Sequence, residues 1–89
     1  MGGAKRTVPH KLPEKLKQIR LYLRLTQDEL AARFGFEKGY RRSLIARFEI
    51  GTRDPSLDVL LRYARAAGIS TDVLIDNELE LPRKIRDAK

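Results

Sequence analysis

The side chains most suited to chemistry in this 89-residue chain are cationic: 19 Lys+Arg stand against 12 Asp+Glu, a formal net charge of +7. The charge is one-sided. Residues 1–53 hold 13 Lys/Arg and 5 Asp/Glu, whereas residues 54–89 hold 6 and 7. A chain basic in its first three-fifths offers one face to a polyanion and another to something else. Other chemistries have little to work with. The chain has no Cys, which removes thiol nucleophiles, disulfides and Cys-ligated metals. Its single His, His10, has no His, Asp or Glu constellation around it, and no Gly-rich phosphate loop is present. We therefore expect no catalytic residue, no metal and no cofactor, and do not expect an enzyme.

Two charges fall on faces where apolar side chains belong. Arg20 lies four residues after Leu16 and three before Leu23, and Glu49 lies four after Ile45 and one after Phe48. A lone charge at a packing face is costly, but an opposite pair with hydrogen bonds is tolerated. The spacing thus points to an Arg20–Glu49 ion pair joining two helices; the alternative is that each snorkels separately to water.

The elements that position these residues are short helices. Leu12, Leu16, Ile19 and Leu23 recur at helical spacing, with Pro13 and Glu14 suited to a helix start, predicting a first helix over about 13–24. Thr26 and Glu29 form the capping-box pattern T-x-x-E, opening a second helix over about 27–34 that stops at Gly35. Leu44, Ile45 and Phe48 mark a third, ending at Gly51, whose start is left open by Gly39. Ser56 caps a fourth over 57–67 with the stripe Leu57, Leu60, Leu61 and Ala64, closed by Gly68. A short fifth begins at Ser70 or Thr71. Beyond Asn77 the alternation Glu78–Leu81 ends at Pro82 and reads as an extended tail. The fold class is all-α and compact, with room for one small core. Apolar runs reach about three residues, as in Val73–Ile75, so no membrane span is expected and the protein is expected to be cytoplasmic.

Packing Ile45 and Phe48 inward leaves Arg42, Ser43, Ala46 and Arg47 on the outer face of the third helix. Arginine can hydrogen-bond guanine bidentately in a major groove, which makes that face suited to duplex DNA.

The segments TQDELAARFG (26–35), IARFE (45–49), GTRDPS (51–56) and LLRYARAAGIS (60–70) resemble the lambda-repressor-like helix-turn-helix domains of the Cro/CI or XRE group. The resemblance covers roughly residues 16–76. It implies five helices with the helix-turn-helix at the second and third, an Arg–Glu pair at Arg20 and Glu49, and sequence-specific binding of double-stranded DNA by a transcriptional regulator. By matching positions, base reading would fall on Arg42, Ser43 and Arg47. Phosphate contacts would fall on Thr26 and Gln27 at the opening of the second helix, and on Thr52 and Arg53 after the third. The sequence departs from the family in two places. Ile45 comes fourteen residues after Ala31 instead of ten, so about four residues are inserted, placed best at EKGY (37–40). If helical they add roughly 6 Å, a full turn, to the third helix. If looped they put Lys38, Tyr40 and Arg41 beside the phosphates. Ile50 stands where the family often has Asn.

The resulting layout is a basic arm (1–11), a helix-turn-helix domain (12–77) and a C-terminal extension (78–89). Lys5, Arg6, His10, Lys11, Lys15 and Lys17 form a basic lead-in that either follows phosphates or simply solubilises the terminus. At the other end Asp72, Asp76, Glu78 and Glu80 would repel a phosphate backbone, so this side should face away from DNA. Leu74, Ile75, Leu79, Leu81 and Ile85 either cover the domain's own core or bury against a second copy, and a homodimer is the favoured reading. The alternative function is a protein-interaction module, for example an antitoxin or the partner of a regulatory protein, on a helix-turn-helix scaffold with weak base reading. A nucleoid-associated protein of prokaryotic, phage or plasmid type fits the leading reading.

Overall fold

The computed structural model describes residues 9–37 and 41–83, with the side chains of Arg41 and Arg42 outside the description. It contains five helices and, among the described residues, no strand: α1 (Leu12–Tyr22), α2 (Gln27–Arg33), α3 (Arg41–Ile50), α4 (Leu57–Ala67) and α5 (Thr71–Ile75).

Each boundary has a local cause. Pro13 occupies the first turn of α1, where its missing N–H is no loss. Helix α1 stops two residues earlier than the apolar spacing suggests, because Arg24 adopts a left-handed φ of 59°. The Leu25 N–H then reaches back to the Arg20 carbonyl at 3.3 Å. No glycine marks this turn, so the sequence gives no warning of it. At α2 the Thr26 hydroxyl accepts from the Glu29 N–H at 3.0 Å while the Thr26 N–H donates to Glu29 Oε1 at 2.8 Å, a reciprocal capping box. Ser56 caps α4 by accepting from the Val59 N–H. Gly51 ends α3 with φ of +83°, and a Cβ there would meet Pro13 Cγ at 3.3 Å. Both the backbone conformation and the close approach of α1 therefore favour glycine at this position.

The core gathers Leu12, Leu16 and Ile19 of α1, Leu30, Ala31 and Phe34 of the α2 region, Ile45 and Phe48 of α3, and Leu74 of α5. From α4 it takes Leu60, Tyr63, Ala64 and Ala67. The α4 stripe is thus rotated from the expected one: Leu57 is 84% exposed and Leu61 is also exposed. The reason is Tyr63, whose ring packs edge-on against Phe34 at 4.9 Å between centroids and so turns the Tyr63 side of α4 inward. Arg62 hydrogen-bonds the Phe34 carbonyl and pairs with Asp58 at 3.1 Å, tying the end of α2 to α4.

Lys15 also departs from expectation. Instead of standing in a basic lead-in it is buried, and its ammonium donates to the carbonyls of Val73 at 2.7 Å and Asp76 at 3.0 Å. A cation at the negative end of α5 satisfies carbonyls that the short helix leaves open. Desolvation lowers the Lys15 pKa below its ordinary value, reinforced by Lys11 and opposed by Asp76 and Glu80. The segment 76–83 forms no helix or strand and runs back along α1, with the Lys11 N–H donating to Asn77 Oδ1. Leu81 packs against the core, while Leu79 and Ile75 remain exposed; Ile85 lies outside the described residues.

Candidate nucleic-acid interface

Helix α3 is held from behind by a charge cluster. Arg20 Nε donates to Glu49 Oε2 at 2.6 Å, Nη2 to Glu49 Oε1 at 3.0 Å, and Nη1 to the Leu25 carbonyl at 3.0 Å. The Gln27 side-chain amide adds a fourth bond, donating to Glu49 Oε1 at 3.2 Å. One carboxylate from α3 therefore binds α1 and the first residue of α2 together. The hydrogen bond to Glu49 raises the Arg20 pKa, against an opposing desolvation. Tyr63 lies near this cluster with its hydroxyl buried and, among the described residues, without a hydrogen-bond partner. Burial pushes its pKa well above the ordinary value, and the Glu49 charge adds to the rise.

With Ile45, Phe48 and Glu49 buried, the opposite face of α3 is turned to solvent. Ser43 and Arg47 are exposed on it, and Ala46 between them is half-buried. The first turn of α3 carries no acidic residue. Arg42 shares this helix, but its side chain lies outside the described residues, as does that of Arg41. Lys38 and Tyr40 lie outside them altogether. The described part of α3 begins at Arg41, and of the EKGY segment where the inserted residues are placed only Glu37 is described.

The turn after α3 is folded onto the helix end. The N–H groups of Gly51, Thr52 and Arg53 all point at the Arg47 carbonyl, at 3.0, 3.0 and 3.4 Å. Those amides are engaged, so any anion contact there belongs to the exposed side chains of Thr52 and Arg53. At the start of α2 the Thr26 N–H is likewise engaged by Glu29. Thr26, Gln27 and Asp28 line a shallow polar concavity with Arg20. Asp28 is exposed there and opposes an anion.

Sequence spacing overlooked two parts of this arrangement. The facial argument that singles out Arg20 applies equally to Lys15, three residues after Leu12 and four before Ile19. Tyr63 belongs to the α4 core face, which leucine counting alone turned the wrong way.

Five helices with a short α2 and an exposed, basic α3 across a turn define a helix-turn-helix protein. The helix-turn-helix family model matches residues 16–74, and the chain belongs to this family, of the lambda-repressor-like Cro/CI and XRE type. The family is one of DNA-binding regulators. No curated protein and no solved structure matches the chain. No helix among the described residues is long and apolar enough to cross a membrane.

Proposed function

We propose that this protein is a sequence-specific transcriptional regulator that binds double-stranded DNA as a homodimer, with α3 in the major groove. The observation that carries the reading is the placement of Ser43 and Arg47 on the solvent face of a helix whose other face is fixed by Ile45, Phe48 and Glu49. Arg47 reads a base edge, with Ser43 and Arg42 nearer the helix start. Thr52 and Arg53 contact phosphate from one side and Thr26 and Gln27 from the other, with Lys38, Tyr40 and Arg41 as further phosphate contacts. Gln27 is already committed to Glu49, so its phosphate contact couples the position of α2 to that of α3.

The dimer uses the side formed by α4, α5 and the segment that follows. Leu57, Ile75 and Leu79 are exposed apolar side chains of these elements, available to bury against a second copy. Asp72, Asp76, Glu78 and Glu80 stand exposed nearby and keep this side from phosphate. In this reading residues 12–77 are the DNA-reading domain between a basic arm and the extension 78–89.

Selection from a pool of random duplexes tests the proposal. The expected product is an enriched, two-fold symmetric site, with log affinity falling against log salt by about 0.9 for each phosphate neutralised. Recovery of no preferred duplex would sink it.

A further inference from the structure

The last turn of α3 carries an apolar side chain that the fold does not use. Ile50 is 71% exposed. It follows Arg47 by three positions and Ser43 by seven, so it lies on the same face as both. Ala46, four residues before it, continues the apolar surface toward the helix centre. Directly behind it come the exposed Thr52 and Arg53. Ile50 therefore stands between the residue that reads a base and those that touch phosphate.

An alkyl side chain in that place can make no hydrogen bond to a phosphate oxygen, and it gains only by leaving water against another apolar group. The major groove offers one such group, the C5 methyl of thymine, which cytosine lacks. Three residues of helix advance roughly 4.5 Å, a little more than the roughly 3.4 Å between successive base pairs. We propose that Ile50 is a specificity residue that recognises the methyl group of a thymine one or two base pairs from the pair contacted by Arg47. The inference rests on the DNA-reading function proposed above.

The probe is the duplex most enriched from a random pool, prepared with each dT replaced in turn by dU, a change that removes only the methyl group. At one or two positions per half-site the protein should lose about four-fold in affinity, the equivalent of one methyl-sized apolar contact. Ile50→Ala and Ile50→Asn, both at an exposed position and expected to melt near the parent temperature, should bind the dT and dU forms alike. Equal binding of both forms by the parent protein overturns the proposal, as does methyl sensitivity that persists in both variants. A variant that changes only self-association, with methyl sensitivity intact, assigns Ile50 to the dimer contact and overturns it too. Absence of any enriched duplex removes the DNA reading itself, an outcome distinct from an enriched duplex without methyl effects.

Discussion

Helix α1 turns two cations inward, Lys15 buried and Arg20 half-buried, and the two are held in different ways. Arg20 meets α3 through a planar fork, with two bonds to one carboxylate and a third to a carbonyl. Lys15 meets the end of α5 through a single ammonium on two carbonyls. The first arrangement fixes direction as well as distance, because a guanidinium and a carboxylate match in one plane. The second fixes only distance, since an ammonium can rotate among acceptors. The helix that carries the proposed reading face is thus the more rigidly placed, and the helix on the proposed dimer side is held with more freedom.

The sharpest way to break this contrast is to remove the carboxylate. Glu49→Gln removes the counter-ion of the half-buried Arg20 and leaves only an amide oxygen as acceptor, and the expected loss is about 2 kcal/mol, enough to lower Tm by about 8 °C or more in a domain of this size. A melting temperature unchanged from the parent would show the pair to be incidental. Lys15→Met keeps the apolar stem but strips two carbonyls of their donor, for an expected loss of about 1–2 kcal/mol. It should weaken dimerisation by sedimentation more than it weakens binding to a single half-site. The reverse order would erase the distinction between the two seams.

Tyr63 sharpens the comparison from the side of the core. Its hydroxyl is buried without a partner among the described residues, so Tyr63→Phe should raise stability by about 1 kcal/mol in a denaturant titration. Its raised pKa also has a signed consequence. Above its ordinary value of 10.0 the unfolded chain ionises while the folded one keeps the proton. Stability present below that pH is therefore lost as pH rises past it. Lys15 acts the other way: its lowered pKa makes its contribution grow with pH up to its ordinary value of 10.5. The larger displacement belongs to Tyr63, so the net alkaline trend is a loss, and Tyr63→Phe should flatten it. The smallest expected effect is at the end of α1. Arg24→Gly relieves a left-handed residue and should gain about 1 kcal/mol or less.

How much of this was legible in the chain follows from the range of each signal. Local signals read well: the Thr26–Glu29 box, the Ser56 cap and the glycine stops depend on residues within a few positions of one another. The 57–67 span of α4 needed nothing from the rest of the molecule. Its rotation did, because Tyr63 turns inward only where Phe34 waits across the core. The stop of α1 at Arg24 was hidden for the opposite reason: a non-glycine residue takes a conformation that its type disfavours. The role of Lys15 was obscured by its neighbours, since a basic residue among basic residues reads as surface until its distance from Leu12 and Ile19 is measured. The solvent face of α3, proposed to read DNA, is a matter of which side of the helix packs, and Ile45 and Phe48 declare that side plainly. Which bases it meets is a property of the complex, and no spacing within the chain encodes it.

The most direct measurement is the affinity of Arg47→Ala across every single-base variant of the selected duplex, at fixed salt. If α3 reads DNA through Arg47, the variant should lose discrimination at one position per half-site by roughly 5- to 150-fold, with non-specific binding and its salt slope nearly intact. An equal loss on all sequences, or no loss on any, would contradict it.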